Sequence, residues 1–409
     1  MTRSPRKPER PRLGVIASHF IQYQAPIWRE LAKREEIDLT VYYLSDHGRR
    51  PGFDAGFGHT FQWDVPLDQG YRWELLPGAE GTSPGSLRHR MSLEPIKKAL
   101  AGTADVFLRN DYNSPGALLF FYACMARGIP VLYRGDSTLL HESPGWRSWK
   151  RMILGPLFRN GVMVLSVGKL VREYTMDLGA PPDRIVSSPH NVDTPYWEEA
   201  ASRRRPERDR IREGFGLPPA RPVVLFCGKL IEKKRPMDLA EAMCRLSERR
   251  EVSLLVAGAG DLLEPMKAAV SGVPGLSVHF AGFVNQSGLP DIYAVADIVC
   301  LPSGGDETWG LVVNEAMHFG CVPVVSDRVG CGPDLVEGIG ESFSAGDPVA
   351  LASAIGKVLD GLEERKSRVP SRIGRYSLAR AVDGIVEGAL RSTNRSGAHA
   401  GTPRPGGNP

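Results

Sequence analysis

The sequence predicts an α/β fold: two Rossmann-like domains facing across a cleft. Three observations carry this. Short β-rich apolar runs alternate with longer helical patterns, as βα units around a parallel sheet buried on both faces require. The alternation occurs twice, on either side of a charged interval, Glu198 to Glu213 (EEAASRRRPERDRIRE), that shows neither a strand nor a strong amphipathic pattern. No run is apolar for long enough to cross a bilayer: the longest, Gly116 to Ala126 (GALLFFYACMA), is about half of the roughly 20 residues required and reads as a buried helix.

Taken in order, the chain opens with a basic tail at 1–11, predicted disordered. The first domain, 12–195, has strands at Leu13–Ala17, Leu39–Leu44, Val106–Leu108, Val131–Tyr133 and Val162–Val167, and closes near Ile185–Ser188. Residues 196–220 read as a surface linker. The second domain, 221–376, runs through Val223–Cys227, Leu254–Ala257, Val278–Ala281, Ile298–Leu301 and Val322–Ser326. A helix at 377–391 buries Leu378, Val382, Ile385, Val386 and Leu390. Residues 392–409 are rich in Gly, Pro and Ser and are predicted disordered.

Composition narrows the function classes. The chain has 409 residues, 42% hydrophobic and 24% charged, which is globular and excludes disorder as the main state. The formal net charge of +4 resides in the first twelve residues, MTRSPRKPERPR, leaving the body electroneutral. A nucleic-acid protein normally carries its basic surplus on the folded domain, so nucleic acid is not an expected partner. That tail has no apolar stretch and reads as neither secretory signal nor membrane anchor, which predicts a cytoplasmic protein. The six cysteines form no CxxC pair and have no histidine at ligand spacing; they read as reduced core thiols, and no metal site is expected.

Ligands of open α/β sheets bind beyond the carboxyl ends of the strands, so the chemistry is sought in those loops. After Ile298–Leu301 the chain reads PSGGDETWGLVVNEAMHFGCVPVVSD, a loop turning into a helix. Glu307 falls in the loop or first turn and Glu315 two turns on, so both can flank a ligand lying across the helix N-terminus. Free amides from Thr308 through Trp309 and Gly310 to Leu311 would face a phosphate with the positive end of the helix dipole. Without context the pair reads rather as an ordinary first-turn carboxylate and a solvated helix residue. After Val223–Cys227 comes GKLIEKKRPMDLAEA, in which Lys229, Lys233, Lys234 and Arg235 crowd one loop. Such a loop either holds an anion or is hydrated surface. Gly258-x-Gly260 lacks the third glycine of a dinucleotide fingerprint, because position 263 is Leu.

The segment ETWGLVVNEAMHFGCVPVVSD resembles the donor-site motif of retaining GT-B glycosyltransferases of family 4, with Thr308-Trp309 where many relatives have Pro-Phe. The resemblance covers most of residues 12–390 and includes the HFIQYQAP and FDAGFGHTFQWDVPLDQGY segments of the first domain. It implies the GT-B arrangement, with the C-terminal helix returning to the first domain. It also implies that Glu315 grips the ribose hydroxyls of a nucleotide sugar while Glu307 contacts the transferred sugar. Lys229 and Lys234, after the strand-end Gly228, would neutralise the diphosphate; arginine is commoner at position 229 and would add a bidentate fork. Gly258 would permit close backbone packing near the nucleotide, the main chain at Phe283 and Val284 would hold the base, and Tyr293 reads as core.

On the acceptor side, His19 sits at the cleft rim or is structural. Arg134, in LYRGDST, contacts substrate or pairs with Asp136. Asn191-Val-Asp193 reads as a hinge. The implied activity is retaining transfer of a sugar from a nucleoside diphosphate (UDP-, GDP- or dTDP-linked) to an acceptor hydroxyl, lipid-linked acceptors included, in polysaccharide, glycolipid or natural-product biosynthesis. It needs no metal and no cofactor. Trp146 to Arg159 (WRSWKRMILGPLFR) fits either peripheral contact with the inner face of a membrane or a covered helix with snorkelling cations. The alternatives are a nucleotide-sugar epimerase or phosphorylase of the same fold, a dinucleotide-dependent oxidoreductase, which the missing glycine opposes, and an inactive sugar-binding adaptor.

Overall fold

The architecture is that of a computed structural model, which describes residues 10–54, 59–142, 144–305 and 307–400. The first domain contains β1 (Arg12–Ala17), β2 (Asp38–Tyr43), the antiparallel hairpin β3 (Gly52–Asp54) and β4 (His59–Phe61), β5 (Trp73–Leu75), β6 (Val106–Arg109), β7 (Val131–Tyr133), β8 (Val162–Ser166) and β9 (Ile185–Ser187). Apart from the hairpin these strands form one parallel sheet in the order β5-β2-β1-β6-β7-β8-β9. The second domain is a parallel sheet of β10 (Val223–Cys227), β11 (Val252–Ala257), β12 (Leu276–Gly282), β13 (Ile298–Leu301), β14 (Val322–Ser326) and β15 (Glu341–Phe343), ordered β12-β11-β10-β13-β14-β15. The strand order reverses beside β1 in one sheet and beside β10 in the other, which makes the loops after β1, β6, β10 and β13 the binding loops.

The central strands are apolar on both faces because helices cover both: Val15, Val106, Leu108, Leu132 and Val164 are fully buried, as are Val224, Leu225, Leu254, Leu255 and Ile298. The strands that the apolar pattern does not mark lie at sheet edges or in the hairpin. β5 and β15 are three-residue edge strands containing Glu74 and Glu341, and an edge strand with one partner and one wet side need not be apolar. The helix Pro115–Ala126 starts where Ser114 Oγ accepts the Ala117 amide at 3.2 Å and buries Phe120, Phe121 and Cys124.

Two expectations need correcting. The charged interval around 198–213 is not a loop: Thr194–Arg204 and Arg208–Gly214 are helices, with Trp197 wholly buried. Two of its cations are paired from within the second domain, where Asp297 accepts Arg212 and Arg208 at 2.7 Å each, together with Lys366 at 2.6 Å. At the C-terminus the helix extends from Leu378 to Ala400, past the predicted end at 391. It returns to the first domain, packing beside β8 and β9: Gly384 admits Ser187 O, which a Cβ would meet at 2.0 Å, and Ser188 donates to Ala381 O at 2.8 Å. The predicted disorder at 1–9 and 401–409 falls outside the described residues.

The Trp146–Arg159 segment forms the helix Pro144–Pro156, followed by a π turn, Leu157–Gly161. Trp149, Met152 and Ile153 are exposed, while Arg147 and Arg151 share Asp177 and Lys150 pairs with Glu142. No helix among the described residues is long and apolar enough to cross a membrane.

Candidate donor-sugar site

A cavity of about 360 Å³ lies between the domains at the carboxyl ends of β10, β11 and β13. From the sequence-predicted set it brings together Glu307, Glu315, Lys229, Lys234, Gly228, Gly258, Phe283, Val284, Thr308, Trp309, Gly310, Leu311 and Asp136. Arg134 and His19 do not line it.

Glu307 lies in the loop after β13, held by a bridge to Val329 and by the Gly330 amide, which donates to its carbonyl at 3.0 Å. Its carboxylate receives Lys234 Nζ and, at 3.0 Å, Ser303 Oγ. The lysine-bearing loop after β10 is thus already engaged in an ion pair with the loop after β13. Among the crowded cations the fold selects. Lys229 and Lys234 line the cavity, Lys233 is exposed, and Arg235, at φ +50°, turns away to Asp238 at 2.5 Å. Gly258 must be glycine because a Cβ there would meet Gly228 O at 1.8 Å, so the β10 and β11 loops touch backbone to backbone.

Glu315 stands on the helix Leu311–His318 and is only 2% exposed. Tyr293, also a core residue, donates to its Oε2 at 2.6 Å. Tyr23, carried on the loop after β1, brings its hydroxyl towards the same carboxylate from the first domain. Burial drives the carboxyl up to about 7, against the lowering effect of the two tyrosines. A solvated helix carboxylate is therefore not what stands here; the group is desolvated and lines the cavity.

The helix N-terminus differs from expectation. Gly310, at φ +98°, is the residue before the helix, so the first-turn amides start at Leu311 and the Thr308–Gly310 amides do not belong to it. Thr308 donates its hydroxyl across the cleft to Asp136 at 2.7 Å. Trp309 is 4% exposed, donates its indole N–H to Asn314 at 2.8 Å and packs against His190 and Tyr376. It serves as an interdomain core residue at the cavity edge.

Arg134 is the clearest correction. Burial depresses its pKa to about 10, and its guanidinium points beneath the junction, donating to Ser188 Oγ and Pro189 O at 2.9 Å and to Asn191 Oδ1 at 3.3 Å. It neither lines the cavity nor pairs with Asp136 within bonding distance, because the end of β7 turns it towards β9. His19 lies in a neighbouring cavity of about 230 Å³ with His47, Arg50, Gln62 and Trp63, its Nδ1 2.9 Å from Ser18 Oγ. Burial, then His47, lowers its pKa to about 4, so the ring is neutral. Gln22 and Trp63 border both cavities. Of the cavity residues that the sequence motif does not mark, Gln22, Tyr23 and His190 lie far from it in sequence, just after β1 or β9, where strand ends meet the cleft.

The domains are in contact around the cavity: Asn285 donates to Gln62 O at 2.8 Å, Ser287 N to Asp64 at 3.2 Å, and Lys169 N to Asp334 at 3.0 Å.

Comparison with known proteins agrees with this geometry. Residues 221–361 match the family model described as Glycosyl transferases group 1. A D-inositol 3-phosphate glycosyltransferase of Catenulispora acidiphila is 36% identical over 210 residues, 48% of this chain and 46% of that protein. A phosphatidyl-myo-inositol mannosyltransferase of Mycobacterium leprae is 34% identical over 225 residues, 54% of each. The matches thus span about half the length of these relatives. In three dimensions, Anabaena HepE in complex with UDP superposes with a TM-score of 0.66 at 16% identity, over 93% of this chain and all of that one. The chain adopts the GT-B fold, and residues 221–361 of its second domain are similar to group 1 glycosyl transferases.

Proposed function

We propose that this chain is a retaining, metal-independent glycosyltransferase of family 4 that moves a sugar from a nucleoside diphosphate to an acceptor hydroxyl. The observation that carries the reading is the convergence of two lysines, a helix N-terminus, an accessible carboxylate and a buried one on a single interdomain cavity. Departure of the diphosphate builds negative charge that Lys229, Lys234 and the Leu311 end of the helix oppose. Glu307 meets hydroxyls of the transferred sugar, and Glu315 accepts those of the ribose. For retention the acceptor oxygen bonds to the anomeric carbon on the face from which the diphosphate leaves. The anomeric carbon–phosphate oxygen bond breaks, and the acceptor proton passes to that phosphate oxygen, so no protein base is required.

HepE's complex with UDP supports a uridine donor, and the inositol-modifying relatives support a polyol hydroxyl as acceptor. The acceptor would approach through the His19 cavity, at the inner face of the membrane if it is lipid-linked. The test is a thermal-unfolding screen of UDP-, GDP- and dTDP-sugars, followed by transfer assays with and without EDTA and NMR of the product anomer. A saturating donor at a hundred times its Kd should stabilise by about 2.7 kcal/mol. No protection by any nucleotide sugar, an absolute Mg or Mn requirement, or an inverted anomer would each refute the corresponding part.

A further inference from the structure

His190 follows β9, at the junction between the domains, and is held on every side. Its amide donates to Val167 O at 2.9 Å, and its carbonyl accepts Asn314 Nδ2 at 3.4 Å. Its ring lies 4.9 Å, centroid to centroid, from that of Trp309. Arg134 ties down the residues on both sides of it, bonding Ser188 and Pro189 before it and Asn191 after it. A ring so firmly placed should have both nitrogens satisfied. Yet Nε2 is buried and has no hydrogen-bond partner among the described residues. A buried polar atom without a partner has lost its hydration for nothing unless a ligand supplies the bond. The volume that His190 borders is the donor cavity, which it lines together with Asp136, Glu307, Thr308 and Gly310.

We propose that His190 is a sugar-contacting residue, its Nε2 forming a hydrogen bond with a hydroxyl of the transferred sugar beside Glu307. The assignment rests on the glycosyltransferase reading and adds to it the group that orients the sugar rather than the nucleotide. Burial, then the Arg134 cation, lowers the pKa of the ring to about 3, so it is neutral throughout the working range. A neutral imidazole offers one N–H and one lone pair, and a sugar hydroxyl can match either, whereas phosphate oxygens are better met by Lys229 and Lys234. Arg134 thereby acts as a positioning residue: it fixes the backbone on both sides of the ring and disfavours its protonation.

The experiment compares the wild-type protein with His190→Phe, which keeps a ring against Trp309, and His190→Gln, which restores a polar nitrogen near Nε2. Dissociation constants are measured by calorimetry for UDP and for whichever of UDP-glucose, UDP-galactose and GDP-mannose the wild type binds best, with GDP replacing UDP where GDP-mannose is chosen. Melting temperatures verify folding. The expected result is a loss of about tenfold in affinity for the nucleotide sugar in His190→Phe, with affinity for the bare diphosphate within about twofold of wild type. Most of that loss should be recovered in His190→Gln. Nucleotide-sugar affinity unchanged in His190→Phe, or equal losses for diphosphate and nucleotide sugar, would overturn the assignment. If the wild type binds no nucleoside diphosphate at all, it is the glycosyltransferase reading that fails, and the proposal with it.

Discussion

Replacing Glu315 with Gln separates two consequences of burying a carboxylate at the wall of the interdomain cavity. The carboxyl is held at about 7, against 4.5 in a solvated glutamate, because burial disfavours its charge more than the Tyr293 and Tyr23 hydroxyls favour it. Between those pH values the folded protein keeps a proton that the unfolded chain has released, so stability falls as pH rises from about 4.5 to 7 and levels off above. At 1.36 kcal/mol per pH unit, the displacement from 4.5 to about 7 amounts to about 3 kcal/mol of destabilisation at pH 8. Glutamine has similar shape and does not titrate. Relative to wild type, Glu315→Gln should therefore gain about 3 kcal/mol between pH 4.5 and pH 8, or about 6–12 °C in Tm for a domain of this size. Calorimetric scans of both proteins across that range measure it.

The same variant should bind UDP more weakly at pH 8, by about ten- to a hundredfold, having lost a charged acceptor for the ribose hydroxyls. If the ionised carboxylate is the binding form, wild-type affinity relative to the variant should fall about tenfold from pH 8 to pH 6. A Tm difference independent of pH would refute the burial argument. A UDP affinity equal in the two proteins would refute the ribose role and leave Glu315 a core residue.

Lys234→Ala removes the cation that pairs with Glu307 and should lower turnover by about 10²–10³, as loss of one transition-state donor does; a kcat within threefold of wild type would show the loop to be solvated surface. Asp297→Asn leaves Arg208, Arg212 and Lys366 without their shared anion and should cost about 3–5 kcal/mol in urea unfolding, whereas a loss below 1 kcal/mol would mean that the cluster is not coupled. Burial raises the Asp297 carboxyl, but Arg208 and Lys366 outweigh it and bring it to about 2, so its stabilising contribution is present above about pH 4 and is lost as pH falls through 2. Arg134→Lys cannot span Ser188, Pro189 and Asn191 together and should lower stability by about 1–3 kcal/mol while UDP affinity stays within twofold; an unchanged Tm would contradict the placement of the guanidinium under the junction.

The two parallel sheets, the carboxylate pair and the lysine-bearing loop are legible in the order of residues. These are signals between neighbours: a strand buried on both faces must be an apolar run, and Glu307 and Glu315 keep their spacing wherever the helix is put. The start of that helix is not legible locally, because a left-handed turn at Gly310, beside Trp309 packed on His190 and Tyr376, precedes it. The charged interval was read as a linker because charge usually means water. Only the fold brings Asp297, from just before β13, to Arg208 and Arg212 and makes those helices part of the second domain.

Side-chain direction comes from the folded whole. Lys234 and Arg235 are adjacent in the chain, yet one lines the cavity and the other turns back to Asp238. Arg134 stands at the strand end where a cleft residue belongs, but Ser188, Pro189 and Asn191 offer it buried acceptors and draw it inward. Tyr23 reaches Glu315 only because the two domains meet. Local pattern sets which elements form and where they end. Which way an end residue points depends on the partners that desolvate or bond it, and those come from distant parts of the chain.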